Sequence, residues 1–199
     1  MQGWLHEPAE PSGDSLAITH GAGSNSEAPL LKAVAEAFAG AGFLALRIDL
    51  PFRRQRPHGP PFPAQGPRDR EALAQAAGAL RELAKGRVFL GGHSYGGRQA
   101  SMIAAESPGL ADGLLLLSYP LHPPRKPEQL RTAHFPDLQT PALFVHGTRD
   151  PFGTIAELRT AIALISARTE LIEIEGAPHG LSPSVAPSLP ERLVSLVPK

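Results

Sequence analysis

Val88-Phe89-Leu90-Gly91-Gly92-His93-Ser94-Tyr95-Gly96-Gly97 is the stretch whose reading decides the fold. A short apolar run breaks into glycines around one serine, and apolar residues then recur at helical spacing from about residue 96 to 106. Gly92-x-Ser94-x-Gly96 is the pattern of a nucleophile elbow, a strand-to-helix turn that holds a serine in a strained backbone conformation. The glycines have a steric role, because strand and helix pass so closely there that a Cβ two residues before or after the serine would collide. The helix N-terminus adds backbone N–H groups and a positive dipole beside the hydroxyl, suited to a developing oxyanion. With 20 glycines in 199 residues the pattern also arises by chance, so a glycine-rich turn with an incidental serine is the competing reading. Flanking context, an apolar strand before and an amphipathic helix after, favours the elbow.

Outward from this turn, short apolar runs alternate with longer amphipathic ones. Strands are predicted at residues 16–19, 43–48, 88–90, 114–117, 142–145 and 170–174. Helices are predicted at 29–39, 68–85, 96–106, 155–165 and 187–196. The second of these helices is expected to place Leu73, Ala76, Ala77, Leu80 and Leu83 on one stripe. Strands apolar on both faces and separated by helices imply a mostly parallel sheet covered on both sides. Six strands are expected, and residues 1–14 offer a seventh at an edge. We read residues 1–199 as one α/β domain of ordinary size. Ligands of such sheets bind beyond the carboxyl ends of the strands, so chemistry is expected in the loops that follow them.

A serine hydroxyl becomes a nucleophile when a neighbouring base accepts its proton, and that base needs an orienting partner. His146-Gly147-Thr148-Arg149-Asp150 follows one predicted strand and Gly176-Ala177-Pro178-His179-Gly180 follows another. The order Ser94, Asp150, His179 is the chain order of this elbow's partners. Competing residues are less well placed. His93 lies within the elbow itself, and His20 and His146 precede glycines at strand ends. His122 lies in a proline-rich connection and is a candidate for the pocket wall. His6, His58 and His134 read as surface. Asp49 is expected to order a turn, while Asp112 and Asp137 precede strands, at the wrong end of the sheet. The first predicted strand leads into Thr19-His20-Gly21-Ala22-Gly23-Ser24-Asn25, whose small residues let the backbone approach a substrate. The Ala22 N–H and the Tyr95 N–H are therefore the candidate oxyanion donors. A phosphate-cradling loop is the alternative there, but neither the Walker lysine nor the dinucleotide glycine spacing is present.

Together, His20-Gly21-Ala22-Gly23, Gly92-His93-Ser94-Tyr95-Gly96, the 146–150 segment and Ala177-Pro178-His179-Gly180 resemble the α/β-hydrolase superfamily, over nearly the whole chain. The likeness is to its small, capless dienelactone-hydrolase-like branch, which includes the testis-expressed hydrolase-like proteins. It implies an α/β-hydrolase fold without a lid domain. It also implies Ser94 as nucleophile, Asp150 and His179 as the rest of a triad, and Ala22 with Tyr95 as oxyanion donors. Dienelactone hydrolases proper carry a cysteine nucleophile, and this chain has no cysteine. The implied activity is hydrolysis of a small carboxylic ester or thioester through an acyl-enzyme, with no cofactor. A catalytically silent binding or scaffold protein and a peptidase or amidase of the same fold are the alternatives.

Composition narrows the partners. Nineteen basic and nineteen acidic residues leave a formal net charge of +0, without the electrostatic footprint of a nucleic-acid binder. The absence of cysteine removes disulfides and thiolate chemistry. The longest aliphatic run, residues 114–117, is too short to cross a bilayer, and the N-terminus lacks a signal-peptide pattern, so a cytoplasmic protein is expected. The connection from residue 119 to 141 is too short for a lid, which predicts an open, shallow site with a stiff proline-containing rim. Leu50-Pro51-Phe52-Arg53-Arg54-Gln55-Arg56 also follows a strand's carboxyl end. Arg53 and Arg54 are candidates to hold a carboxylate or phosphate of the substrate; the competing reading is a solvated loop.

Overall fold

The computed structural model describes residues 3–197. Seven strands form one sheet: β1 (Gly3–His6), β2 (Ser15–Thr19), β3 (Leu44–Ile48), β4 (Val88–His93), β5 (Gly113–Leu117), β6 (Ala142–Gly147) and β7 (Thr169–Ile174). Their spatial order is β1-β3-β2-β4-β5-β6-β7. All neighbours run parallel except β1, which pairs antiparallel with β3, Trp4 opposite Arg47. The residues before the first predicted strand thus supply the edge strand.

Strands β2, β5 and β6 are buried along their whole length because successive side chains enter cores on opposite faces of the sheet. Ala17, Leu90, Leu114, Leu116 and Phe144 point to one core, joined by Leu73, Ala76, Ala77 and Leu80 of α3 (Gly66–Leu83), Ala100 and Ala104 of α4 (Tyr95–Glu106), and Leu158 and Ala161 of α5 (Ile155–Ile162). Leu16, Ile18, Phe89, Leu115, Leu117, Leu143 and Val145 point to the other, against Leu31, Val34 and Phe38 of α1 (Pro29–Gly40) and Leu193 and Leu196 of α6 (Leu189–Leu196). Fully burying a side chain such as Phe38 or Leu73 contributes about 1.5–3 kcal/mol.

Four local features differ from the sequence expectations. Leu83 ends α3 and is 64% exposed, because the helix stops before the stripe completes another turn. The Arg-rich loop opens with a short helix, α2 (Pro51–Gln55), started by a proline whose missing N–H needs no partner at that position. Strand β4 continues through Gly91-Gly92-His93, so the elbow begins later than its apolar run implies. The final helix is preceded by a 3₁₀ segment, Pro183–Ser188. Helix α5 opens with a capping box: the Thr154 hydroxyl accepts from the Glu157 N–H (3.2 Å) and the Glu157 carboxylate accepts from the Thr154 N–H (2.8 Å). Residues 118–141 carry one 3₁₀ turn, Phe135–Asp137, and bury Tyr119, Leu121, Phe135 and Leu138 in the core; they insert no lid domain. Among the described residues, no helix is long and apolar enough to cross a membrane.

Candidate active site

Ser94 joins β4 to α4 with φ 51° and ψ −115°, a conformation that a non-glycine residue adopts only under constraint. The constraint comes from two glycines. A Cβ on Gly92 would stand 2.5 Å from the Gly96 carbonyl carbon, so helix and strand close on each other there. A Cβ on Gly96 would stand 2.6 Å from the His20 carbonyl oxygen and the Thr19 Cγ2, so the second glycine clears the neighbouring strand β2 and not its own. The Ser94 N–H donates to the Leu117 carbonyl of β5 (2.8 Å), which ties the turn to the sheet.

The loops after β6 and β7 converge on this serine. His179 Nε2 lies 2.8 Å from Ser94 Oγ, and His179 Nδ1 lies 2.7 Å from Asp150 Oδ2. Asp150 is buried, and its Oδ1 accepts from the Phe152 N–H (2.8 Å). With the proton on Nδ1 facing the carboxylate, Nε2 is left as the acceptor toward the hydroxyl. The Phe152 ring stacks on the imidazole at 4.2 Å between centroids. The His93 ring is engaged with the backbone of the His179 loop. Its Nε2 donates to the His179 carbonyl oxygen (2.9 Å) and so braces the loop that carries the imidazole. Burial lowers the pKa of His93 and favours the neutral ring that this bond uses. His20 is buried and accepts from the Leu50 N–H (3.2 Å), while His146 Nε2 donates to the Gly153 carbonyl (2.9 Å); both bond locally. Asp49 accepts from the Ser26 N–H (2.7 Å) and orders the turn before α1, as its position implies.

Ala22 and Tyr95 line the same cavity as Ser94 and His179. Tyr95 is the first residue of α4, where a backbone N–H has no acceptor within the helix. Its side chain points away and donates to Asp69 (2.7 Å), a fully buried carboxylate that also accepts from the Phe52 N–H (3.1 Å). Burial raises the pKa of Asp69, opposed by these two bonds.

Arg53 does not face the cavity as an anion clamp, and this corrects the sequence expectation. It is buried, and all five of its N–H donors are taken by backbone carbonyls: Nε by Ser24 (2.7 Å), Nη1 by Arg56 (3.0 Å) and Pro57 (2.8 Å), Nη2 by Ala22 (2.5 Å) and Gly59 (3.2 Å). A guanidinium with no free donor has none for a substrate. Arg54 is exposed and belongs to a separate surface depression with Asp49 and Gln55. His122 is likewise absent from the cavity wall; its Nδ1 donates to the Pro123 carbonyl (2.8 Å) and its Nε2 lies 3.6 Å from Glu157.

The cavity has a volume of about 830 Å³, and Pro60, Pro61, Phe62 and Pro63 line it together with Pro120. Three unanticipated arginines also line it: Arg70, Arg98 and Arg131. A signal for Arg98 existed, since it lies one helical turn beyond Ser94 and shares its side of α4. Nothing local marks Arg131. His134, expected at the surface, is half-buried and 2.8 Å from the Ser101 hydroxyl; burial first, then Arg98 and Arg70, push its pKa down to about 4.

A family model described as an alpha/beta hydrolase domain matches residues 13–191. Among solved structures, Est1E from Butyrivibrio proteoclasticus with bound ferulic acid has a TM-score of 0.77 at 17% identity, covering 98% of this chain and 94% of that one. A dienelactone hydrolase from Anabaena variabilis has a TM-score of 0.76 at 22% identity, covering 99% and 92%. An α/β serine hydrolase without a lid from Xanthomonas campestris has a TM-score of 0.68 at 15% identity, covering 89% and 79%. At these identities the likeness is one of fold.

Proposed function

We propose, from the premise that this chain belongs to the alpha/beta hydrolase family, that it cleaves a small carboxylic ester or thioester through an acyl-enzyme on Ser94. The observation that carries the reading is the continuous hydrogen-bonded line from Ser94 Oγ through the His179 imidazole to Asp150, with a buried carboxylate at its end and a cavity at its start.

In this mechanism Ser94 Oγ attacks the acyl carbon while its proton passes to His179 Nε2, and Asp150 stabilises the imidazolium. The Ala22 and Tyr95 N–H groups receive the oxyanion. Collapse of the tetrahedral intermediate breaks the bond to the alcohol or thiol, which leaves with the proton from His179. Water then gives a proton to His179 and its oxygen to the acyl carbon; the bond from that carbon to Ser94 Oγ breaks, the proton on His179 passes to Oγ, and the acid leaves. The steps call for no cofactor.

Labelling with a fluorophosphonate probe tests this directly. Stoichiometric labelling of the wild type, lost in Ser94→Ala and His179→Ala, together with hydrolysis of p-nitrophenyl acetate, is the expected result. Asp150→Asn should retain the fold and lower kcat by about 10⁴-fold, the effect of the wrong imidazole tautomer. Folded wild-type protein that takes no label would make the silent scaffold the better reading, and cleavage of anilides at rates comparable to esters would favour an amidase.

A further inference from the structure

We propose that the substrate of this site carries a second, anionic group, a carboxylate or phosphate, and that Arg98 and Arg131 hold it. This rests on the hydrolase reading above and names the substrate class within it.

Arginines around the site differ in how far the protein satisfies them. Arg53 spends all five donors on carbonyls, and Arg70 is paired with Glu106 (3.0 Å) and Gln99 (3.3 Å). Arg98 and Arg131 are less fully provided for: the neutral Tyr119 hydroxyl lies beside the Arg98 guanidinium, with no compensating charge. Among the described residues neither has a carboxylate within 4.0 Å. Arg98 Nε is buried without a hydrogen-bond partner. The Arg131 side chain has one long bond, from Nη1 to the Pro120 carbonyl (3.4 Å). A donor buried without a partner costs free energy, as does an uncompensated charge in a half-buried wall, unless something supplies the missing acceptor.

Both side chains line the cavity that holds Ser94 and His179, and they arrive there independently. Arg98 stands one turn along α4, its N–H bonded to the Ser94 carbonyl (3.0 Å). Arg131 comes from the 118–141 connection, whose backbone is held by the bond from its own N–H to the Leu121 carbonyl (2.8 Å). The local field is positive: Arg131 is held below its usual range by burial and then by Arg98, and half-buried His134 is kept neutral by burial, then by Arg98 and Arg70. Two guanidinium groups that repel each other in the lining of one cavity make a receptor for a group with several acceptor oxygens and a negative charge. Apolar Pro61, Phe62 and Met102 line the same cavity and suit a hydrocarbon spacer between that group and the ester. The volume suits a small molecule.

The test reads binding apart from turnover. Titration calorimetry on Ser94→Ala compares monomethyl adipate with dimethyl adipate, which differ by one negative charge, and hexyl phosphate with hexanol as the phosphate arm. The monoester is expected to bind ~10–100-fold more tightly than the diester, the worth of charge-assisted hydrogen bonds. The phosphate arm shows which oxyanion the pair prefers. Arg98→Met and Arg131→Met should each remove most of that preference, Arg98→Lys should restore part of it, and exposed Arg54→Ala should leave it intact. Equal affinity for monoester and diester with no preference for hexyl phosphate over hexanol, or a preference that survives both methionine variants as folded proteins, overturns the proposal. Fluorophosphonate labelling of the wild type separates the two readings. Labelled protein without anion preference defeats this proposal alone, whereas unlabelled protein that keeps the preference defeats the hydrolase reading and leaves an anion site at these arginines.

Discussion

Replacing Arg53 with methionine removes five N–H donors from five carbonyls. Two of these, on Ala22 and Ser24, belong to the loop to which we assign an oxyanion donor, and three, on Arg56, Pro57 and Gly59, belong to the chain after α2. Hydrogen bonds from a charged donor contribute about 1.5–3 kcal/mol each, but those carbonyls that reach solvent regain water when the donor is lost. Gly59 and Pro57 are exposed, so the net loss concentrates on the Ala22, Ser24 and Arg56 bonds. We expect a destabilisation of about 3 kcal/mol, which lowers Tm by roughly 6–12 °C for a domain of this size. Lysine keeps the charge but offers three donors without the planar fork, so Arg53→Lys should recover less than half of the loss. Urea denaturation at unchanged m-value measures the stability change. Steady-state hydrolysis measures the rest: kcat should fall about 10–100-fold as the Ala22 N–H loses its fixed position, short of the full loss of an oxyanion donor. Neutral and anionic esters should suffer alike. A variant that melts like the wild type, with KM raised for anionic esters alone, would refute this account and restore Arg53 as a substrate-binding residue.

Two further outcomes are expected. Gly96→Ala places a methyl group 2.6 Å from the His20 carbonyl and should destabilise by at least about 3 kcal/mol, whereas Gly23→Ala, with open space around it, should stay within about 0.5 kcal/mol of the wild type; paired denaturation curves check both. The His134 pKa falls from 6.5 unfolded to about 4 folded, so its neutral ring contributes stability that is complete above pH 6.5 and lost as pH falls toward 4. That gap is worth ~3 kcal/mol before solvent screening and about 1–2 kcal/mol after it. His134→Gln keeps a partner for Ser101 and should flatten the fall in stability between pH 7 and 5; an unchanged slope would mean that His134 does not carry it.

The fold was legible because its signals are local. Strands buried on both faces read as unbroken apolar runs, as Leu114-Leu115-Leu116-Leu117 does, and helices show the 3.6-residue stripe that ends in α3 at Leu80. Ser94 was legible for the same reason, since the clearance around Gly92 and Gly96 excludes any side chain at those two positions. That His179 and Asp150 come together with Ser94 was expected from chain order and position after a strand, a topological rule that needs no coordinates.

The arginines were not legible in this way. Arg53, Arg54 and Arg56 lie together in the chain and look like an anion site, yet the fold turns Arg53 inward to bind the backbone and leaves Arg54 outside the cavity. Arg98 and Arg131, remote from each other in sequence, share the cavity wall instead. Local spacing determines secondary structure and the strained turn, because sterics act over a few residues. Whether a charged side chain still has donors to offer depends on which distant carbonyls and carboxylates the packed chain brings against it, and only the tertiary structure decides that.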